Sequence, residues 1–189
     1  MLHTPSRSRT WLRLYSDAHA DPLGFGHTPS RFSDPRVGDA AATPYGVVYL
    51  GRTLKACFLE VIVRDSGDAR LGPLPIVMAR LEHTICAEVS LTAALTLVDL
   101  RGDGPVRMGV PTDAVRAADP SLGQAWALAF HQHTSAPDGI IYPSRFDGEN
   151  NVALFDRALG KVRPRSVGPL LGRGADLARV VRDLKIALL

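Results

Sequence analysis

Cysteine is scarce in this chain, which has two among 189 residues. Neither Cys57 nor Cys86 belongs to a CxxC pair or lies beside a histidine at ligand spacing, which argues against a zinc ribbon or a disulfide framework. Both stand in apolar surroundings, so we expect buried, reduced thiols. No apolar run approaches the roughly 18 residues of a membrane span, and no secretion signal is visible. We therefore expect a cytoplasmic protein without membrane association.

The common nucleotide and hydrolase fingerprints are also missing. The chain contains neither GxGxxG nor GxxxxGK[ST], shows no internal repeat, and has no GxSxG around a serine. His131 and His133 form an HxH pattern without a third ligand nearby, so we expect no metal site. These absences disfavour a Rossmann dehydrogenase, a P-loop NTPase, a serine hydrolase and a metalloenzyme.

The composition is that of one globular domain, with 46% hydrophobic and 22% charged residues and a net charge of +3. Positive charge is concentrated near the end, where seven basic residues from Lys161 onward face two acidic ones. Such a region is either a solvated face or a surface for an acidic partner. Nucleic-acid binding is not expected, because no helix-turn-helix or aromatic-basic pattern accompanies the charge.

Short apolar runs predict a fold rich in strands. Apolar alternation starts near Trp11, and further strands are predicted at residues 46–50, 76–81, 85–91, 95–100, 139–142 and 152–155. Between the first two lies a Pro/Gly/Ser-rich stretch, residues 21–43, that predicts a long loop of the kind that often binds ligands. Consecutive strands with few intervening helices predict an α+β single domain with central antiparallel or mixed sheets and peripheral helices.

Three helices are predicted from apolar periodicity. The first follows Thr53 as N-cap, the second runs from a Ser121–Gln124 capping box to about His133, and the third begins near Asp176. Their expected buried stripes are Leu54, Cys57, Phe58, Val61 and Ile62; Leu122, Trp126, Ala129 and Phe130; and Leu177, Val180, Val181, Leu184 and Leu188.

Glu60 is the first candidate for chemistry, because it is an acid inside an almost wholly apolar run. A shielded carboxylate needs compensation. The structural explanation is an ion pair with Arg52 or Arg64. The functional one is a carboxylate in a cleft that binds hydroxyls or faces a developing positive charge.

Three further residues are ambiguous when taken singly. Arg31 lies in a loop beside an aromatic residue, where it is either a surface cation or a bidentate phosphate ligand. Tyr49 belongs to a predicted strand and is either a core residue or a ring that stacks on a flat heterocycle. Ser144 ends an apolar strand at a polar turn and is either a turn serine or a side chain that projects into a cleft.

Together these segments resemble the RES family. The resemblance rests on Arg-Phe at 31–32, Val-Tyr-Leu at 48–50, the acid eleven residues after Tyr49, Gly-Ile-Ile-Tyr-Pro-Ser-Arg at 139–145, and Asn-Val-Ala-Leu-Phe-Asp at 151–156. The family takes its name from an Arg, a Glu and a Ser, which correspond here to Arg31, Glu60 and Ser144.

The likeness spans about residues 31–156, inside a single domain of residues 1–189 whose segment 157–189 we interpret as a C-terminal extension with an amphipathic helix. Many family members have a Gly-Gly-Arg-Trp-Asn-like loop, whereas this chain has Pro-Ser-Arg-Phe-Ser-Asp. The resemblance implies an ADP-ribosyltransferase-like fold. It also implies a toxin that consumes NAD⁺ as substrate and is paired with an Xre-like antitoxin.

The acceptor of ADP-ribose in this family is a protein side chain, water or inorganic phosphate. Applied here, the resemblance implies that Glu60 faces the ribose, Arg31 binds the diphosphate, Tyr49 stacks on nicotinamide and Ser144 holds a polar group. Tyr45, Arg52 and His27 are expected to make secondary contacts. Transfer to a cellular protein is the first expectation, and NAD⁺ breakdown the second. A non-enzymatic interaction module that uses the basic C-terminal region is the alternative from a different class.

Overall fold

A mixed eight-stranded sheet organises the protein. The computed structural model describes residues 1–64 and 72–189. Its strands are β1 (Leu2–His3), β2 (Thr10–Ser16), β3 (Val47–Gly51), β4 (Leu74–Ile76), β5 (Thr84–Leu91), β6 (Leu97–Asp99), β7 (Gly139–Pro143), β8 (Asn150–Phe155), β9 (Val162–Pro169) and β10 (Ile186–Leu188). The main sheet has the order β1-β6-β7-β8-β3-β2-β5-β9, and β10 pairs with β4 separately.

Within the main sheet β6 and β7 are parallel, and the other neighbouring pairs are antiparallel. The helices are short and lie around this sheet. They are α1 (Leu54–Phe58) with a following π-helical turn (Leu59–Val63), α2 (Met78–Glu82), α3 (Gly104–Arg107), α4 (Asp113–Arg116), α5 (Ser121–Gln132) and α6 (Gly174–Asp183). The predicted α+β architecture with a mixed sheet is thereby confirmed. None of the helices in the described part is long and apolar enough to cross a membrane.

The central strands β3, β7 and β8 are covered on both faces. Val48, Leu50 and Leu154 pack into one apolar cluster, whereas Ala153 and Phe155 pack into another on the opposite face. A strand buried on both faces has a continuous apolar sequence rather than an alternating one. This explains why the strands were predictable from short apolar runs.

Helix α1 begins as predicted and then changes its geometry. The Thr53 hydroxyl accepts a hydrogen bond from the Ala56 amide at 3.1 Å, which confirms the N-cap. The predicted stripe is wrong at Val61, which is 37% exposed, while Leu59 is buried instead. The π-helical turn at 59–63 shifts the helical phase there, and Glu60 belongs to this turn.

The prediction of a strand at 76–81 was wrong. Strand β4 ends at Ile76, and the sequence Met-Ala-Arg-Leu-Glu that follows forms helix α2. All five residue types have high helix propensity, so the local preference for helix outweighed the apolar character of the run.

The prediction of a capping box at the start of α5 was also wrong. Pro120 occupies the N-cap and no side chain caps the helix, since the Ser121 hydroxyl donates to Asp119 instead. The buried residues of α5 are Gly123 and Ala127, whereas Leu122 and Ala129 are exposed. In α6 the expected burial of Leu177 and Val180 is confirmed, but Leu188 belongs to β10.

Candidate active site

Glu60 lies half-buried beside the β7–β8 turn, and one oxygen of its carboxylate is held by two neutral donors. The Ser144 hydroxyl donates to Glu60 Oε1 at 2.9 Å, and Asn151 Nδ2 donates to the same atom at 3.1 Å. Among the ion pairs formed by described residues, none includes Glu60. The expected structural explanation, an ion pair with Arg52 or Arg64, is therefore not what the structure shows.

The two donors come from opposite ends of one turn. Ser144 follows β7 and Asn151 lies in β8, and both side chains are buried. The Ser144 amide donates to the Glu149 carbonyl, and the Ser144 hydroxyl also accepts from the Phe146 amide at 3.2 Å. The turn therefore fixes the rotamer of Ser144. Because the remaining oxygen, Oε2, accepts no hydrogen bond from the described residues, it is left available for a ligand hydroxyl.

Arg31 presents a half-buried cation that forms no ion pair with any residue that the structure describes. Its Nη1 atom is buried and has no hydrogen-bond partner among the residues that the structure describes. Burial, followed by the nearby charge of Arg145, lowers the pKa of the Arg31 guanidinium below its ordinary value. A buried donor of this kind is costly unless a ligand pairs with it, and a phosphate oxygen has the required charge and geometry.

Arg31 and Glu60 line the same cleft. Its cavity has a volume of about 220 Å³, below the roughly 300–1,000 Å³ of typical small-molecule pockets, so it encloses only part of a dinucleotide. Three more arginines, Arg13, Arg64 and Arg145, line it together with Glu60. The cleft is thus cationic around a single acid, an arrangement that attracts an anionic ligand.

The loop that carries Arg31 is fastened on both sides. The Tyr49 hydroxyl accepts a hydrogen bond from the Phe32 amide at 2.9 Å, and Gln124 Nε2 donates to the Ser30 carbonyl at 3.0 Å. A side chain at Gly123 would place its Cβ 2.6 Å from the Arg31 carbonyl oxygen, so α5 packs directly on the loop backbone. These contacts fix the backbone at Arg31 relative to β3.

Comparison with known proteins gives the family. A sequence profile of the RES domain matches residues 7–171. The chain belongs to the RES-domain family. It is 44% identical over 126 residues to a protein of Sinorhizobium fredii (strain NBRC 101917 / NGR234) named "Probable toxin y4kH", a match that covers 67% of this chain and 99% of that protein.

A solved structure shares the fold of this RES domain. One chain in the crystal structure of the M. tuberculosis MbcT–MbcA toxin–antitoxin complex superposes with a TM-score of 0.64 and 20% identity, over 94% of this chain and 88% of that chain. At this identity the likeness concerns the fold.

Four of the predicted site residues are brought together in the RES domain. Arg31, Tyr49 and Glu60 line the cleft, and Ser144 reaches it through Glu60. The Tyr49 ring faces the cleft residues while its hydroxyl is bound to the Arg31 loop, so its stacking on a heterocycle stays a prediction. Asn151 was not singled out from the sequence, although it opens the Asn-Val-Ala-Leu-Phe-Asp segment.

The other three expected contributors lie away from the cleft. Tyr45 is buried, and its ring stacks on His131 with a centroid separation of 4.2 Å. Arg52 donates to the Thr10 carbonyl at 2.5 Å, and His27 packs edge-on against Phe25. Tyr45 and Arg52 therefore stabilise the fold around the site rather than line it.

Sequence reasoning also missed Tyr142, the residue before Pro143 in β7. Tyr142 lines the cleft and contacts Phe32 edge-to-face, with ring centroids 4.9 Å apart. Burial raises the pKa of its phenol well above the ordinary value, which favours the protonated hydroxyl. Its apolar strand context is typical of a core residue. The only sequence feature that indicates a site residue is its position near the end of the strand, before a polar turn.

Asp34 organises the loop that follows Arg31. Its buried carboxylate accepts hydrogen bonds from the Tyr45 amide at 3.0 Å and from Arg36 Nε and Nη2 at 2.9 and 2.6 Å. Burial acts to raise the Asp34 pKa, but the hydrogen bonds from Arg36 and Tyr45 outweigh it and lower the pKa from 3.8 to about 2.

Asp34→Asn is expected to destabilise the protein by roughly 2–3 kcal/mol, the contribution of charge-assisted hydrogen bonds to a buried group. Because the folded-state pKa is depressed, this stabilisation is complete above about pH 4 and is lost as pH falls towards 2. Urea unfolding of both proteins between pH 7 and pH 2 measures the difference. Asp113→Asn on the exposed side of α4 is the matched control, and an equal loss in that variant would contradict the assignment.

Proposed function

We propose that this RES-domain protein is the toxin of a toxin–antitoxin pair and that it breaks the nicotinamide–ribose bond of NAD⁺, transferring ADP-ribose to a cellular protein in the cytoplasm. The observation that carries the proposal is the shared cleft of Arg31 and Glu60. The cleft combines a half-buried guanidinium, whose Nη1 atom is shielded, with a carboxylate; within the described part of the chain, neither Nη1 nor the second carboxylate oxygen has a hydrogen-bond partner. The name of the Sinorhizobium relative supports the toxin role.

Cleavage of the nicotinamide–ribose bond needs one ionised carboxylate and no general acid. When the bond between ribose C1′ and the nicotinamide nitrogen breaks, its electron pair leaves with nicotinamide, which departs as a neutral molecule without protonation. Positive charge develops on the ribose, and the Glu60 carboxylate stabilises it electrostatically while binding a ribose hydroxyl through Oε2. The acceptor then forms a bond to C1′ and loses a proton. Ser144 and Asn151 hold the carboxylate in place through these steps.

The diphosphate and the nicotinamide ring of NAD⁺ are matched by the arginines and tyrosines of the cleft. Arg31 binds the diphosphate, since its planar fork matches two phosphate oxygens. Arg64 and Arg145, which also line the cleft, add positive charge that attracts the diphosphate. Tyr49 and Tyr142 form the walls of the slot for the nicotinamide ring.

The partner we propose is an Xre-like antitoxin that covers this cleft. A cleft lined by four arginines and one acid favours an acidic segment or a C-terminal carboxylate as the inhibitory element. The fold shared with a chain of a toxin–antitoxin complex supports such a partner. A purified complex in which NAD⁺ still binds freely would contradict this placement.

Incubation of the pure protein with NAD⁺ labelled in the adenylate half, together with a cell lysate, tests the reaction. We expect release of nicotinamide and label on a discrete protein band. Free ADP-ribose as the sole labelled product would reject transfer and indicate hydrolysis, and ADP-ribose 1-phosphate would indicate phosphorolysis. Absence of nicotinamide release would reject NAD⁺ cleavage itself.

A further inference from the structure

Asn151 has a second polar atom that the proposed roles do not use. The residue is 3% exposed, lines the cleft, and pairs with Gly51 across β8 and β3. A carboxylate can only accept hydrogen bonds, so the amide nitrogen of Asn151 must be the atom that faces Glu60. The orientation of the carboxamide is therefore fixed, and its oxygen Oδ1 is the polar atom that does not bond to Glu60.

Oδ1 is a buried acceptor without a donor. Within the described ranges, no hydrogen bond reaches it, and it is shielded from water. An unsatisfied buried carbonyl is unfavourable, and such atoms in folded proteins call for a ligand or another specific explanation. The donor that would satisfy it must come along the cleft, because Asn151 and Gly51 both line that cavity.

Gly51 packs closely against the Asn151 carboxamide. A Cβ at this position would lie 3.3 Å from Asn151 Oδ1 and 2.4 Å from Cys57 Sγ. A side chain here would therefore displace the carboxamide or the Cys57 thiol, so the absence of a Cβ at Gly51 lets Asn151 keep its position at the wall of the cleft.

We infer that Asn151 is a specificity residue whose Oδ1 accepts a hydrogen bond from the 3′-hydroxyl of the ribose attached to nicotinamide. The inference rests on the proposed NAD⁺ cleavage. The hydrogen bond from Asn151 Nδ2 to Glu60 Oε1 joins the two side chains and leaves each with one further acceptor, Glu60 Oε2 and Asn151 Oδ1. Two acceptors on linked side chains match a pair of vicinal hydroxyls: the 2′-hydroxyl, next to the bond that breaks, binds Glu60, and the 3′-hydroxyl donates to Asn151.

Discrimination against a substrate without the 3′-hydroxyl follows. A site built to bond a hydroxyl rejects an analogue that lacks it, because the protein acceptor is then left buried and unpaired. For a single hydrogen bond we expect kcat/KM for NAD⁺ to exceed that for the 3′-deoxy analogue, modified in the nicotinamide ribose, by about 10- to 100-fold.

The test compares the ratio of kcat/KM for NAD⁺ to kcat/KM for the 3′-deoxy analogue between variants. Asn151→Leu has a similar volume and removes the acceptor, and Asn151→Ser provides a second variant if the first folds poorly. Ser144→Ala is the matched control, because it removes the other hydrogen bond to the same Glu60 oxygen without touching Oδ1. Nicotinamide release from NAD⁺ and from the 3′-deoxy analogue is measured for each folded protein.

We expect the Asn151 variants to lose most of the discrimination, so that their ratio falls at least about fivefold below the wild-type ratio. Ser144→Ala lowers the rate with both substrates and keeps the ratio. An unchanged ratio in folded Asn151 variants, or no discrimination by the wild-type protein, overturns the inference. Failure of the wild-type protein to cleave NAD⁺ overturns the proposed function instead, so the two failures are distinguishable.

Discussion

Glu60→Gln is expected to lower kcat for nicotinamide release from NAD⁺ by on the order of 10³-fold, the effect of removing one electrostatic stabiliser of a transition state. The amide has nearly the same shape as the carboxylate, and its oxygen can still accept from Ser144 and Asn151. What is lost is the negative charge that faces the ribose. KM should change much less than kcat, because the substrate ground state carries little of the developing charge.

The control for this variant is Glu82→Gln, which neutralises an exposed acid at the end of α2. Its activity should equal that of the wild-type protein. Growth arrest on expression in bacteria gives a second measurement, since the enzymatic proposal requires that Glu60→Gln abolish toxicity. If the folded variant stays toxic, a non-enzymatic interaction module explains the protein better than NAD⁺ cleavage does.

Arg31→Ala is expected to weaken binding of ADP-ribose by about 10- to 100-fold, which corresponds to the roughly 1.5–3 kcal/mol of a charge-assisted hydrogen bond. Arg31→Lys keeps the charge but loses the planar fork, so its affinity should lie between those of the wild-type protein and the alanine variant. Isothermal titration with ADP-ribose measures binding without the reaction.

Arg116→Ala, on the exposed side of α4, changes the net charge equally and should leave the affinity unchanged. The wild-type affinity should also fall at higher salt, and the dependence should weaken in Arg31→Ala. Equal affinity of wild-type protein and Arg31→Ala would mean that the diphosphate binds elsewhere in the cleft, and the proposed mode of substrate binding would be wrong.

The strands around the site were predictable because burial on both sheet faces gives short apolar runs. The predicted strands at 46–50, 139–142 and 152–155 correspond to β3, β7 and β8. The juxtaposition of Arg31, Glu60 and Ser144 was predicted through the family resemblance rather than through spacing. Residues separated by 84 positions, such as Glu60 and Ser144, meet only through sheet pairing that a local pattern does not encode.

Other features depended on interactions outside any local window. The π-helical turn at 59–63 exposes Val61 and could not be anticipated from a 3.6-residue period. Asn151 had no distinguishing signal, because a polar residue before an apolar strand is usually part of a turn. Tyr45 was expected to make a secondary contact with the ligand, whereas its packing against His131 and Phe155 places it in the core.

The fastening of the Arg31 loop by Tyr49 and Gln124 has a consequence for how the anion is captured. A segment without regular secondary structure usually loses backbone entropy when it closes on a ligand. Here that ordering has already taken place during folding, because the amide of Phe32 is bonded inside the domain. Association should therefore proceed without a slow gating step, and differences in affinity between variants should appear mainly in the dissociation rate.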